Sequence, residues 1–246
     1  LMESHALEAI RVGDDIRSIQ YWASNRIDPE RVRYIDLGYV AHLREYGVKF
    51  DARVFREYYN GYIDDNSCIN PPNLGTFKNR PPCADAPANF KPVVPEQKSF
   101  IFENNGPFVM DGAEFSIDWS KPGVARAVLS QAFINIKPRR EALRDRDIEL
   151  SAPHSMTSLL LSFDLPQRWR ASMAYYHTGE MYWLNGGDRV GPRDRFDFKL
   201  ARSFGALGSD NEIALTVQSA AGRYPEYHEG KYRHEPRAFV TLALNW

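Results

Sequence analysis

The chain has 246 residues, 43% of them hydrophobic, and its 31 basic and 32 acidic side chains leave a formal net charge of -1. Such a balance removes the electrostatic case for nucleic acid as a partner. No run nears the roughly 18 consecutive apolar residues of a spanning helix. A helical membrane protein is thereby excluded, but a membrane barrel is not, because only half of each barrel strand's side chains must face lipid.

The opening Leu1-Met2-Glu3-Ser4-His5 has no initiator Met and lacks the basic and apolar regions of a signal peptide, so either processing or a fragment is expected. Only a short apolar stretch stands out before Ile27. From there, period-two patterning predicts nine strands, since successive side chains of an extended chain point to opposite faces. The first sets Ile35, Leu37, Tyr39, Ala41 and Leu43 against Tyr34, Asp36, Gly38, Val40 and His42. The second sets Val48, Phe50, Ala52 and Val54 against Lys49, Asp51, Arg53 and Phe55, and the third Ala113, Phe115, Ile117 and Trp119 against Gly112, Glu114, Ser116 and Asp118.

A fourth, near Val124 to Ile136, alternates poorly. The fifth carries Leu159, Leu161, Phe163 and Leu165 on one face, and the sixth Trp169, Ala171, Met173 and Tyr175. In the seventh, Phe196, Phe198 and Leu200 oppose Arg195, Asp197, Lys199 and Ala201; in the eighth, Ile213, Leu215 and Val217 oppose Ala214, Thr216 and Gln218. The ninth ends the chain, with Ala238, Val240, Leu242, Leu244 and Trp246 on one face.

A soluble sandwich alternates in the same way, so the connections carry more information. Tight turns are expected at Glu45-Tyr46-Gly47, at Ser120-Lys121-Pro122-Gly123, at Pro166-Gln167 and between Gly205 and Asp210. The connections between them are long: Asp64 to Pro107, Lys137 to Pro153, Gly179 to Pro192 and Ala220 to Arg237. Short and long connections in strict alternation are the asymmetry of outer-membrane barrels, and aromatics at 13% suit their interfacial girdles. The nine strands begin and end in the same direction, whereas single-chain bacterial barrels have an even number. At least one ascending strand is therefore expected to be missing or to lie within Leu1 to Ile27, making the chain a C-terminal part of something larger.

The stretch Ile27-Asp28-Pro29-Glu30-Arg31-Val32-Arg33-Tyr34-Ile35-Asp36-Leu37-Gly38-Tyr39 resembles the segment that opens a late barrel strand in TonB-dependent outer-membrane receptors. Asp51-Ala52-Arg53-Val54-Phe55, Gly112-Ala113-Glu114 and Arg237-Ala238-Phe239-Val240-Thr241-Leu242 fit the same family in order and spacing, while Ser219-Ala220-Ala221-Gly222 departs from its usual turn after the penultimate strand. The resemblance implies an all-β fold: residues 1–246 would form nine or ten strands of a transmembrane antiparallel β-barrel that has about 22 in full and a plugged lumen. It implies a bacterial outer-membrane transport receptor, not an enzyme, that imports a scarce ligand such as an iron-siderophore complex. Its partners would be the receptor's own plug domain, the TonB complex through an absent N-terminal part, and membrane lipid.

Cys68 and Cys83 flank a Pro- and Asn-rich stretch of the longest connection, and facing an oxidising compartment they are expected to form a disulfide. Asp51, Arg53, Glu114, Asp118, Arg195, Asp197 and Lys199 would face the lumen, either as a hydrated, mutually neutralised wall or as partners of the plug. In the last long loop, Tyr227, His228, Tyr232 and His234 are candidate ligand contacts or simply solvated. The His228 and His234 spacing is wrong for a helical zinc motif. No catalytic residue, metal or cofactor is expected. Two alternatives stay open: a small self-contained outer-membrane barrel, as enzyme or adhesin, and a soluble carbohydrate-binding β-sandwich.

Overall fold

The computed structural model describes residues 7–23, 27–70, 97–138, 146–182, 189–206, 209–225 and 233–244. Its strands are β1 (Leu7–Val12), β2 (Asp15–Ala23), β3 (Arg31–Leu43), β4 (Val48–Asn60), β5 (Ile63–Asn70), β6 (Gln97–Asn104), β7 (Phe108–Lys121), β8 (Ala125–Pro138), β9 (Ser155–Leu165), β10 (Trp169–Thr178), β11 (Met181–Tyr182), β12 (Arg189–Val190), β13 (Arg193–Ala206), β14 (Ser209–Gln218), β15 (Tyr224–Pro225), β16 (Arg233–His234) and β17 (Arg237–Ala243). One single-turn helix, α1 (Arg146–Glu149), is present among the described residues. The chain divides into two compact units, Leu1–Arg33 with Tyr58–Phe108, and Tyr34–Glu57 with Val109–Trp246.

The smaller unit holds a four-stranded sheet in the order β1-β2-β6-β5. β1 and β2 form a hairpin whose turn places Gly13 at positive φ, and β2 joins β6 in parallel through Tyr21 opposite Phe100. Tyr21 stacks on Phe100 and Phe102 at 5.1 and 5.8 Å between ring centroids, and Ile16 and Ile19 are buried. Asn104 ties the base together: its Nδ2 donates to the carbonyls of Asp28 and Gly61, and its Oδ1 accepts the Asp28 N–H at 2.6 Å.

The larger unit is built on a nine-stranded sheet in the order β17-β14-β13-β10-β9-β8-β7-β4-β3. These are the nine strands predicted from alternation. Even the poorly patterned fourth is a full strand, β8, paired with β9 from Ala125 to Phe133 without a register shift. Three of the four predicted tight turns lie within the described residues, and residues 207 and 208 of the fourth lie outside them. A 3-10 turn over Arg44–Tyr46 joins β3 to β4, the Val124 N–H closes the next turn on the Lys121 carbonyl, and Pro166–Arg168 joins β9 to β10. The Ser120 N–H donates to the Gly47 carbonyl at 2.9 Å and that of Asp164 to Val124 at 2.9 Å, so the first three turns lie side by side at one end of the sheet.

The register sorts side chains into rows. One face carries Ala125, Phe163, Ala171, Leu200, Leu215 and Val240 directly opposite one another across six strands, and the next row holds Ala127, Leu161, Met173, Phe198, Val217 and Ala238. The other face carries Arg126, Ser162, Ser172, Lys199, Thr216 and Phe239 in one such row. Among the described residues nothing covers the apolar rows: Phe163, Leu200, Leu215 and Val240 are 46%, 42%, 47% and 66% exposed. In a water-soluble sandwich this is the face that a second sheet must bury, so the arrangement speaks against that alternative.

Two differences from expectation are informative. The connection from Asp64 to Pro107 is not a plain loop, because β5 and β6 lie inside it; β5 reads Ile-Asp-Asp-Asn-Ser-Cys-Ile-Asn, with no alternation, and owes its form to antiparallel pairing with β6. The first 27 residues contain the β1–β2 hairpin, which pairs with β6 rather than joining the nine-stranded sheet. β3 is thus one edge of that sheet and β17 the other.

Gly47 sits at φ 64°, and a Cβ there would collide with the Ser120 carbonyl, whereas Gly123 at φ 72° has open space around it. Gly123→Ala is expected to cost only the left-handed backbone penalty, about 1 kcal/mol, and Gly47→Ala at least ~2 kcal/mol because two turns must also separate. Urea unfolding of the refolded protein in detergent micelles checks the order; equal midpoints would contradict the close packing of the turns.

Candidate functional site

The polar face of the larger sheet gathers the charged residues predicted to share a surface. The even strand spacing places Arg53 between carboxylates, with its Nε donating to Asp36 at 3.2 Å and its guanidinium 3.6 Å from Glu114. Asp118 accepts two hydrogen bonds from Arg126, at 3.1 and 2.8 Å, in the planar fork that suits a carboxylate. Arg195 binds Asp197 the same way at 2.8 and 2.6 Å, and Lys199 reaches Glu212 at 2.8 Å. Asp164 and Arg170 add a further pair at 2.9 Å.

Six of the seven expected residues are therefore partnered within the wall, and Asp51 lines a cleft. Their partners Asp36, Arg126 and Glu212, and the separate Asp164–Arg170 pair, lie on the same face by the parity that places the seven. Between the pairs runs a line of short hydroxyl side chains: Ser116 with Ser130 at 3.2 Å, and Ser162 with Ser172 at 3.0 Å. Their small size opens a cleft of about 480 Å³ lined by Asp51, Glu114, Ser116, Ser130, Ser158 and Tyr176. A second, of about 360 Å³ near the tight turns, is lined by Lys121, Arg126, Ser162, Asp164, Arg170 and Ser172. The chemistry on offer is hydrogen bonding and charge pairing. Among the described residues there is no group of three or more His, Cys, Asp or Glu suited to a metal ion.

Asp197 also accepts the backbone N–H of Ser219 at 3.0 Å, which fixes the start of the last long connection. Ser219 has φ 55° and is buried, and the Ala220 N–H donates to the Phe196 carbonyl at 2.8 Å. His234, in β16, comes within electrostatic reach of Asp197, so one residue of the candidate ligand loop approaches the charged wall. Tyr227, His228 and Tyr232 lie outside the described residues, as does Cys83.

The connection after β10 also has order of its own. α1 packs on β8 and β11, and Ile136, Ile148 and Val190 are buried. Tyr182 donates its N–H to the Leu150 carbonyl at 2.7 Å, and β11 pairs with β12. Arg189 donates to Glu180 at 2.6 Å; that hydrogen bond, outweighing desolvation, holds the Glu180 carboxyl below its ordinary value and raises the Arg189 guanidinium above its own.

With this geometry in hand, the family model described as TonB dependent receptor-like, beta-barrel, matches residues 11–218. Solved structures of similar fold include the ferric-catecholate import receptor Fiu from E. coli K12, at 14% identity and TM-score 0.61 over 97% of this chain and 30% of that one. The copper transporter OprC matches at 14% identity and TM-score 0.60, covering 92% of this chain and 35% of its own. The siderophore receptor PirA from Acinetobacter baumannii matches at 12% and 0.58, covering 91% and 33%. The chain thus spans about a third of the length of these receptors. A search of curated protein sequences finds no match.

Because the folded state depresses the Glu180 pKa, the ion pair's contribution is present above the ordinary glutamate value of 4.5 and is lost as pH falls through the lower, folded value. Glu180→Gln is expected to reproduce the acid effect at neutral pH, making Arg189 a faster tryptic cleavage site while leaving the sheet's unfolding midpoint unchanged. Unaltered cleavage would mean that the pair does not order this hairpin.

Proposed function

The chain belongs to the TonB-dependent receptor β-barrel family, and on that premise we propose that it is the C-terminal part of the barrel of an outer-membrane receptor for TonB-coupled uptake of a scarce ligand such as an iron-siderophore complex. The observation that carries the proposal is the two-faced sheet. Uncovered rows of Phe, Leu and Val on one side suit acyl chains, and rows of Ser, Arg, Asp and Lys on the other suit a hydrated, plugged lumen. The open edges at β3 and β17 support the same reading: hydrocarbon tolerates no unpaired strand edge, so flanking strands of a parent barrel would be required.

In that setting Asp51, Arg53, Glu114, Asp118, Arg195, Asp197 and Lys199 would line the lumen and meet the plug domain, most of them through charge already balanced within the wall. Cys68 and Cys83 would form a disulfide in the loop that follows β4, and Tyr227, His228, Tyr232 and His234 would contribute to ligand capture. The relatives are receptors and transporters, and two are named for siderophores or ferric catecholates. Coupling to TonB and a ligand of this class are carried over to the present chain as parts of the proposal.

Two experiments test it. Leu200→Arg, on the lipid side, is expected to cost about 2–4 kcal/mol and to deplete the receptor from the outer membrane, whereas Ser172→Arg on the opposite face is expected to be tolerated. Fractionation with immunoblotting reads this, and equal tolerance of both would overturn the assignment of faces. Deletion of the parent gene should abolish growth on at least one iron-siderophore complex as sole iron source, and loss of TonB should do the same. Undiminished uptake of a panel of such ligands in the deletion strain would sink the transport reading.

A further inference from the structure

Along the apolar face, Val48, Phe50, Ala52 and Val54 of β4 lead to Arg56, and Ala113, Phe115, Ile117 and Trp119 of β7 share their face with Asp111. At the far end from the tight turns these strips stop being apolar. Arg56 donates to both Asp111 oxygens, at 2.6 and 3.1 Å, and the Lys137 ammonium of β8 stands 3.7 Å from the same carboxylate. Arg56 and Lys137 are 54% and 61% exposed. Two cations thus converge on one point above the apolar strips of β4 and β7, while the same face of β8 also carries Asn135 and Gln131 below Lys137.

The height of that point is decisive. Val48 and Arg56 are eight residues apart, roughly 27 Å along a strand; at a tilt of about 40° this is about 21 Å of height, close to the apolar band of about 25 Å in outer-membrane barrels. The cations therefore stand at the boundary where hydrocarbon gives way to headgroups, on the side of the long connections. A molecule that fits carries acyl chains for Val54, Ala52 and Phe115 and an anionic headgroup for Arg56 and Lys137. We propose that Arg56 and Lys137, held together by Asp111, form a binding site for the phosphorylated headgroup of an outer-leaflet lipid. The inference rests on the membrane reading above. Charge complementarity selects the headgroup and the apolar strip selects a lipid over a free phosphate.

The test uses the complete receptor, purified from outer membranes in mild detergent, with retained phosphorus-containing lipid counted by native mass spectrometry. Each cation near the headgroups is expected to contribute roughly fivefold in retention, so the Arg56→Gln, Lys137→Gln double variant should lose about 25-fold. The single variants, at roughly fivefold each, serve if the double variant fails to insert. Arg223→Gln, in a loop ion pair with Glu235, should retain lipid as the unaltered protein does. Equal retention by variant and unaltered receptor would overturn the site, and so would displacement of the bound species by inorganic phosphate alone. Absence of the receptor from the outer-membrane fraction would instead strike the functional reading, so the two failures are distinguishable.

Discussion

Unbroken register from β8 to β17 of the larger sheet is the constraint on which the rest depends. Because side chains alternate with a period of two, a one-residue slip between any two strands would move Leu200 and Leu215 to the charged face and Lys199 and Thr216 to the apolar one. Between β8 and β17 the described pairings carry no such slip. The tight turns are where register is set. The left-handed Gly47 and the positive φ of Gln167 and Arg168 reverse the chain within three residues, and each leaves the next strand no freedom to slide. Two solvents on the two faces then penalise any other arrangement.

The same register explains why the charged face is self-sufficient. Residues of one face on neighbouring strands stand close enough for pairing, directly or diagonally, so acids and bases spread over that face neutralise one another within the sheet. Arg53 with Asp36 and Glu114, Asp118 with Arg126, and Lys199 with Glu212 all arise this way. Pairs as exposed as these add little stability individually, because solvent screens them. Their consequence lies elsewhere: the lumen side would stay polar and close to neutral, and a plug seated against it would meet hydrogen-bonding groups already oriented. Asp197 has the further task of fixing the chain's exit into the last connection through Ser219.

Alternation made the nine long strands legible, because each faces two different solvents and so writes its period into the sequence. The family resemblance was legible for the same reason, being carried by strand-opening segments such as Arg31 to Tyr39. β5 was not legible: its eight residues include two Asp, two Asn and a Ser, and no binary pattern separates it from a loop. Its strand form depends on hydrogen bonds to β6, from Ile63 opposite Asn104 to Asn70 opposite Gln97, a long-range fact that no local window contains. The seven charged candidates follow from parity, but which residue of the same face pairs with which, as Asp36, Arg126 and Glu212 do with Arg53, Asp118 and Lys199, depends on register between strands. The approach of His234 to Asp197 likewise depends on how β16 returns, which spacing along the chain does not encode.

The long connections carry order of their own. Ile136, Ile148 and Val190 are buried although they belong to a strand end, a single helical turn and a two-residue strand, none of which is stable alone. Their burial, with the backbone bond from Tyr182 to Leu150, ties the connection after β8 to the one after β10. In the smaller unit the aromatic stack of Tyr21, Phe100 and Phe102 and the Asn104 bridge do the same for the segments before β3 and after β4. Disturbing either the connection after β8 or the one after β10 would therefore disturb the contacts and the hydrogen bond it makes with the other.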